Sequence, residues 1–327
     1  MIITRTPFRM SFFGGGTDYP SWFESNPGAT LSATINKYCY ISIRELPPFF
    51  NHKHRVVYSK IENVNFLDEI EHPSVRETLK YFLLDKNLEI HHDGDLPARS
   101  GLGSSSSFTV GLVNALCCLK KKNISKKILA EISINIEQNI IKENVGSQDQ
   151  IAASFGGINF TKYTKDNFTV KKIKLSEERE KLLNDSILLF YTGISRNASH
   201  IAKEQVNNTL KNRNYLKTLY DLTLEGKKLI ESSSDLVKDF GYLINESWAL
   251  KKKLSSKISN NIIDNIYNEA LSSGAYGGKL LGAGAGGFMI IISEKKYQKM
   301  IKNKLKKFLH VPFCFEKEGS TIIFNSN

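Results

Sequence analysis

The stretch that decides the fold reads DLPARSGLGSSSSFTVGLVNALCCL, residues 95–119. It follows a strand-like segment, LEIHHDG, and passes from glycines and four serines straight into an apolar run typical of a buried helix. A flexible linker has similar small polar residues, but linkers do not normally join a strand directly to a buried helix. We therefore interpret residues 97–106, the serine loop, as a built loop at the start of a helix.

The serine loop has the features of a phosphate site. The N-terminus of a helix presents unpaired N–H groups and about half a positive charge, which suits a phosphate. Serine hydroxyls add donors, one of which can ligate Mg²⁺, and Gly101 and Gly103 allow an anion to approach the backbone closely. The P-loop pattern GxxxxGK[ST] does not occur in the chain. The pattern favours a phosphate-binding loop of another kind.

Two further stretches are rich in glycine: PFRMSFFGGGTDY (7–19) and KLLGAGAGG (279–287). The second has the GxGxxG spacing of dinucleotide sites, but such a site needs a strand before it and a helix after it. Here a helical region precedes the glycines and the β-type run FMIII follows them, which disfavours a dehydrogenase. A loop that closes on phosphates or on another loop fits better. In the first stretch a simple turn is the alternative to close approach by a ligand or a second backbone.

Composition and pattern indicate a globular α+β protein of two domains. The 327 residues are 41% hydrophobic and 10% aromatic, strand and helix patterns are mixed, and a division into 1–180 and 181–327 follows from a break between 165 and 190. No apolar window reaches the length of a membrane span, and the first residues do not resemble a signal peptide. The four cysteines lack metal-ligand spacing. We expect a cytoplasmic protein with free thiols and no membrane partner.

The net charge of +12 has three explanations: a nucleic-acid partner, an anionic substrate, or a lysine-rich proteome. The lysines are scattered, with short runs at 120–122, 251–253 and 302–307, and no nucleic-acid-binding motif accompanies them. We interpret the runs as solvated helix faces. The sequence predicts no nucleic-acid partner.

The three glycine-rich stretches resemble the three signature motifs of the GHMP small-molecule kinases, in the family's order and across nearly the whole chain. The resemblance implies an N-terminal domain like ribosomal protein S5 domain 2 and a ferredoxin-like C-terminal domain. It also implies ATP in the cleft and Mg²⁺-assisted transfer of the γ-phosphoryl group to an alcohol. The ATP-contacting residues that it implies are Pro97, Ser100, Gly101, Leu102, Gly103, Ser104, Ser105, Ser106, Gly284 and Gly286.

The same resemblance implies the metal and catalytic residues. Ser105 and Glu137 match the family's Mg²⁺ ligands, although Glu137 taken alone has the character of a surface helix charge. Asp149, within GSQDQ, matches the galactokinase-type aspartate that accepts the proton of the sugar hydroxyl. Arg9 matches the arginine that holds this aspartate ionised and helps to neutralise the phosphoryl group, since a neighbouring cation lowers a carboxyl pKa.

The acceptor follows from variant forms of the motifs. Galactokinases have GEHTDY where this chain has GGGTDY, and LFYTGISRNAS (189–199) adds to a likeness with the branch that phosphorylates the anomeric hydroxyl of D-glycero-D-manno-heptose 7-phosphate. That product would feed nucleotide-activated heptose for surface polysaccharide. An unphosphorylated sugar such as fucose or galactose is the alternative acceptor, and the oligomeric state stays open, with a homodimer as one option. The implied acceptor residues are Gly15, Gly16, Thr17, Asp18 and Arg196.

Arg196 is the residue that we expect to bind the 7-phosphate, because arginine pairs bidentately with phosphate. A surface charge at the start of a helix is the alternative for this residue.

Overall fold

The chain forms two β-sheets. The computed structural model describes residues 1–84, 86–194 and 199–326. The strands of the first sheet are β1 (Ile2–Phe13), β2 (Gly28–Glu45), β3 (His54–Val57), β4 (Ile61–Val64), β5 (Leu88–Gly94), β6 (Ile158–Tyr163), β7 (Phe168–Lys172) and β12 (Thr321–Asn325). Their order is β12-β1-β2-β5-β3-β4, and β6 extends from β2 and carries β7. The second sheet contains β8 (Ile187–Tyr191), β9 (Gly277–Leu280), β10 (Phe288–Ile292) and β11 (Leu309–His310) in the order β11-β8-β10-β9.

Eleven α-helices are defined within the described ranges. They are α1 (Pro20–Phe23), α2 (Pro73–Tyr81), α3 (Ser104–Leu119), α4 (Lys126–Ile134), α5 (Gln148–Phe155), α6 (Glu177–Ser186), α7 (Ser199–Asn207), α8 (Arg213–Ser232), α9 (Leu236–Lys253), α10 (Asn261–Ser272) and α11 (Lys295–Lys304). A 3₁₀ turn covers Leu67–Glu69, and a π-helical segment, Asn135–Ile140, continues α4. Side-chain caps fix the starts of α4 and α10. The Ser125 side chain accepts the Ile128 N–H, and the Asn260 side chain accepts the N–H groups of Ile262 and Ile263.

The two sheets share one hydrophobic core at the end of β1. The rings of Phe12 and Phe13 lie 5.3 and 5.6 Å from that of Phe240 in α9, both edge to face. Phe288 and Ile290 of the second sheet belong to the same buried cluster. This contact fixes α9 beside the strand that leads into the glycine-rich turn GGGTDY.

The pattern-based prediction of mixed helices and strands agrees with the structure, but two details differ. The pattern of VPFCFEK, residues 311–317, predicts a strand, but the segment forms a single bridge between Phe315 and Ile35, with no continuous ladder. The last strand, β12, pairs with β1, so 321–325 join the first sheet although they were assigned to a second domain of 181–327. All four cysteines are free. Across the described ranges, no helix has the length and apolar character needed to cross a bilayer.

Candidate active site

The serine loop ends at an uncapped helix N-terminus. Gly103 has φ +74°, a left-handed conformation that glycine adopts without strain, and α3 begins at the next residue with no side-chain cap. The first N–H groups of α3 are therefore available to a ligand. Beneath the loop, the Leu102 carbonyl accepts the Arg9 N–H at 3.0 Å, which anchors it to β1. The geometry suits an anion, as the sequence predicts.

The glycine-rich loop 279–287 closes on the serine loop. A Cβ on Gly282, at φ +73°, would lie 2.5 Å from the Gly101 Cα, and one on Gly287 would lie 2.1 Å from the Ser100 carbonyl oxygen. Phe288 then donates its N–H to that same oxygen at 3.1 Å. The segment after the glycines is β10, which rules out the helix that a dinucleotide fingerprint requires.

Gly284 and Gly286, both predicted to contact ATP, face other partners in the described structure. A Cβ on Gly284 would lie 2.8 Å from the Cα of Ile258, and one on Gly286 would lie 2.7 Å from the Cγ2 of Ile194. The glycines of this loop that lie against the serine loop are Gly282 and Gly287. The contact of Gly284 and Gly286 with ATP remains a prediction.

Arg9 and Asp149 form the central ion pair. Arg9 Nε donates to Asp149 Oδ1 at 2.7 Å, Nη2 lies 2.5 Å from the same oxygen, and Nη1 donates to the Gly101 carbonyl at 2.8 Å. Arg9 is 4% exposed, whereas Asp149, in the first turn of α5, is 24% exposed. A Cβ on Gly103 would lie 3.3 Å from the carboxyl group of Asp149. The carboxylate therefore opens to solvent beside the start of α3.

Asp18 lies buried in the GGGTDY turn, close to the loop that precedes α5. Its Oδ1 accepts the Gly16 N–H at 2.9 Å, and its carbonyl accepts the Ser147 N–H. A Cβ on Gly146 would fall 1.9 Å from Asp18 Oδ2, so only glycine fits there. Burial, with the charge of Asp149 as the second cause, raises the pKa of Asp18 to about 6.

The other residues predicted at the acceptor differ in their surroundings. The Thr17 hydroxyl donates to the Gly14 and Ala29 carbonyls, each at 2.9 Å, and the residue is fully buried, so it shapes the turn. Gly15 is half-buried near the side chain of Gln148. Arg196 lies outside the described residues.

Glu137 is buried in the π-helical segment. Its Oε2 accepts the Ser106 hydroxyl at 2.8 Å and also the Gln150 amide, whereas Oε1 is buried without a hydrogen-bond partner. Burial raises the pKa of Glu137 to about 7, and the charge of Glu143 adds to this. Ser105, the predicted metal ligand, is exposed one position before Ser106. The structure thus pairs Glu137 with Ser106 and leaves Ser105 facing solvent.

These groups fit a Mg²⁺ ion. An unpartnered carboxylate oxygen is a hard donor, and Mg²⁺ is commonly held by one or two protein oxygens together with substrate phosphates. In the part of the chain that the structure describes, no three His, Cys, Asp or Glu side chains form a closed metal site.

Two buried lysines complete the site, and the sequence analysis missed both. Lys251 is 8% exposed and donates to the Gly282 carbonyl, while Lys279 is 3% exposed and donates to the Phe12 carbonyl at 2.7 Å. The interpretation of 251–253 as a solvated run is wrong for Lys251. A signal existed, because Ile244, Trp248 and Lys251 fall at helical spacing on one face.

Comparisons with known proteins place the chain in a family. Residues 71–157 match the model of the GHMP kinase N-terminal domain, and residues 232–311 match that of the GHMP kinase C-terminal domain. The chain is 31% identical to the D-glycero-alpha-D-manno-heptose 7-phosphate kinase of Campylobacter jejuni, over 97% of each chain. It is 25% identical to a galactokinase of Pyrococcus furiosus, over 92% of this chain and 91% of that one.

A crystal structure of a D-glycero-D-manno-heptose 1-phosphate kinase from Bacteroides thetaiotaomicron superimposes with a TM-score of 0.82. The alignment covers 100% of both chains at 21% identity, which shows a likeness of fold alone. The α+β, two-domain prediction is confirmed.

Proposed function

The chain belongs to the GHMP kinase family and is a phosphotransferase that uses ATP and acts on a sugar hydroxyl, and we propose that its acceptor is D-glycero-D-manno-heptose 7-phosphate. The product is heptose 1,7-bisphosphate, formed on the anomeric hydroxyl, a precursor of nucleotide-activated heptose for surface polysaccharide. We place the reaction in the cytoplasm. A homodimer stays a prediction.

The observation that carries the substrate proposal is the likeness to the heptose 7-phosphate kinase of Campylobacter jejuni along 97% of both chains. The turn GGGTDY supports it, because galactokinases have a glutamate and a histidine in place of its second and third glycines. Arg196 is our proposed ligand of the 7-phosphate.

The chemistry is an in-line displacement at the γ-phosphorus. The anomeric oxygen forms a bond to phosphorus as the bond to the β,γ-bridging oxygen breaks, and ADP leaves. Asp149 takes the hydroxyl proton, since it is the partly exposed carboxylate beside the serine loop. Arg9 keeps Asp149 ionised and directs a positive charge to the same place. Asp18 orients the sugar hydroxyls as an acceptor of hydrogen bonds.

The serine loop and the first N–H groups of α3 hold the triphosphate. Glu137 and Ser105 are the proposed ligands of Mg²⁺, with Ser106 and Gln150 orienting the Glu137 carboxylate. A bound Mg²⁺ would supply positive charge that offsets the negative charge of the triphosphate during the transfer. The buried Oε1 of Glu137 supports this assignment, since it has no hydrogen-bond partner among the described residues.

The test is an ADP-release assay across matched acceptors: heptose 7-phosphate, the free heptose, fucose and galactose. We expect kcat/KM for heptose 7-phosphate to exceed that for every free sugar by about 100-fold or more, since a free sugar cannot form the proposed charged pairing with arginine. Good turnover of fucose or galactose, with none of heptose 7-phosphate, would show that the alternative acceptor is correct.

A further inference from the structure

Lys251 lies near three segments of the proposed site: the serine loop, the glycine-rich loop 279–287 and the turn GGGTDY. It donates to the carbonyl of Gly282, whose Cα faces Gly101 at a distance that leaves no room for a Cβ. Arg9 donates to the carbonyl of Gly101, the other glycine of this contact. Two buried cations, one on β1 and one at the end of α9, thus each bind one of two touching glycines.

The turn GGGTDY also lies close to the C-terminal end of α9. A Cβ on Gly16 would lie 2.9 Å from Leu216 Cδ2 and 4.0 Å from Leu254 Cδ1, and Leu254 follows Lys251 by three residues at the end of α9. The charges of Arg9 and Asp18 both act on Lys251. The ammonium group therefore binds the glycine-rich loop 279–287 and lies close enough to Arg9 and Asp18 for their charges to act on it.

Lys251 has donors to spare. An ammonium group has three N–H bonds, and the described contacts use one of them, on Gly282. No carboxylate of the described residues lies within 4.0 Å of it, whereas Arg9 is paired with Asp149. A buried cation without a counter-charge is costly, and an anionic ligand would supply that charge. Burial, with the charge of Arg9 as the second cause, lowers the pKa of Lys251 to about 8, so the group is still mostly protonated at pH 7.

We propose that Lys251 is a catalytic residue that donates hydrogen bonds to the non-bridging oxygens of the phosphoryl group during its transfer from ATP to the sugar. The acceptor oxygen bonds to the γ-phosphorus, the bond to the bridging oxygen breaks, and the hydroxyl proton goes to Asp149. Lys251 keeps its own protons throughout. The charge comes from α9, outside the three glycine-rich stretches, and meets Arg9 across the transferred group. Such donors act most strongly on charge that develops in the transition state.

The experiment compares Lys251→Met with Lys253→Met, which removes an exposed charge from the same helix. Steady-state kinetics use ATP with heptose 7-phosphate, or with whichever free hexose the wild-type enzyme turns over. Calorimetry measures ADP alone, and ADP with aluminium fluoride and the same sugar as a mimic of the transition state. Replacing a buried charge by an apolar side chain of similar length is tolerated in many proteins, so the variant should fold. Lys251→Arg keeps a cation and serves as the second variant.

We expect Lys251→Met to lower kcat by about 100-fold and to weaken the aluminium fluoride complex by a similar factor. Affinity for ADP and both KM values should change by less than about threefold, Lys251→Arg should recover part of kcat, and Lys253→Met should match the wild type.

Three results would overturn the proposal. An unchanged kcat would mean that Lys251 only supports the Gly282 carbonyl. A raised acceptor KM with unchanged kcat would mean that it binds the ground-state sugar phosphate. Equal losses of affinity for ADP and for the aluminium fluoride complex would mean that it merely holds the loops together. None of these depends on which sugar is the acceptor, so the substrate proposal fails or survives separately.

Discussion

Arg9 holds Asp149 by two contacts to one carboxylate oxygen, at 2.7 and 2.5 Å, and leaves the other oxygen near the start of α3. The two residues are 140 positions apart, and Arg9 also binds the Gly101 carbonyl at 2.8 Å. One buried guanidinium thus connects the proposed base to the proposed phosphate-binding loop. The same side chain fixes Asp149 relative to Gly101 of the serine loop.

Replacing Asp149 by asparagine should lower kcat by about 10²–10⁴-fold, because the amide cannot accept the hydroxyl proton. Affinity for ATP, measured by calorimetry, should stay within about threefold of wild type, since Asp149 pairs with Arg9 and not with the serine loop. A variant that keeps wild-type kcat would show that positioning alone drives the transfer and that Asp149 is not the base.

Replacing Gly282 by alanine should separate the two glycine-rich loops, because the new Cβ would lie 2.5 Å from the Gly101 Cα. We expect KM for ATP to rise at least about tenfold and the thermal midpoint to fall. Gly193→Ala is the matched control: its φ is also positive, at +76°, but no atom of the described residues lies within 4 Å of the added Cβ. The control should cost only backbone strain, of about 1–2 kcal/mol. Equal effects of both variants on ATP use would contradict the contact.

Substitutions of Ser105 and Ser106 distinguish the proposed metal ligand from the residue that supports Glu137. Ser105→Ala should raise the Mg²⁺ concentration needed for half-maximal activity without changing the thermal midpoint, since Ser105 is exposed. Ser106→Ala removes a 2.8 Å hydrogen bond to buried Glu137 and should destabilise the protein by about 1–3 kcal/mol. If Ser105→Ala leaves the Mg²⁺ requirement unchanged, the prediction that Ser105 is a metal ligand is wrong.

Glu137→Gln should trade stability against activity. The pKa of Glu137 is raised to about 7, so the folded metal-free protein holds a proton that the unfolded chain releases near the ordinary glutamate pKa. This group's contribution to stability is present below that ordinary pKa and is lost as the pH rises through about 7. Without Mg²⁺, the wild type should therefore lose thermal stability relative to Glu137→Gln between pH 5 and 8, by a few degrees at most.

The same substitution should abolish activation by Mg²⁺. In the wild type, the acid limb of the activity profile should move to lower pH as the Mg²⁺ concentration rises, because the ion and the proton compete for one carboxylate. An acid limb that ignores Mg²⁺ would place the metal elsewhere.

The local backbone features of the site can be predicted from the sequence, whereas its long-range contacts cannot. The positive φ values of Gly101 and Gly103 follow from glycines at the start of an apolar helix, and the strand after Phe288 follows from β-branched residues. The Arg9–Asp149 pair joins segments that no periodicity connects, so it came from family resemblance and not from pattern.

Two misses have physical causes. Lys251 belongs to a run of three lysines that suggests a solvated surface, yet helical spacing places it on the buried face with Trp248. The return of β12 to the first sheet depends on pairing with β1, about 320 residues away, which local pattern does not encode. Pairings of this kind depend on tertiary structure.

The position of the new phosphate tests the central claim most directly. The enzyme is incubated with Mg²⁺, ATP and D-glycero-D-manno-heptose 7-phosphate, and the sugar product is followed by ³¹P magnetic resonance with correlation to its protons. Our account predicts a second sugar phosphate whose phosphorus couples to the anomeric proton, while the 7-phosphate signal remains. A product phosphorylated on any other hydroxyl, or ADP formed without a second sugar phosphate, would contradict it.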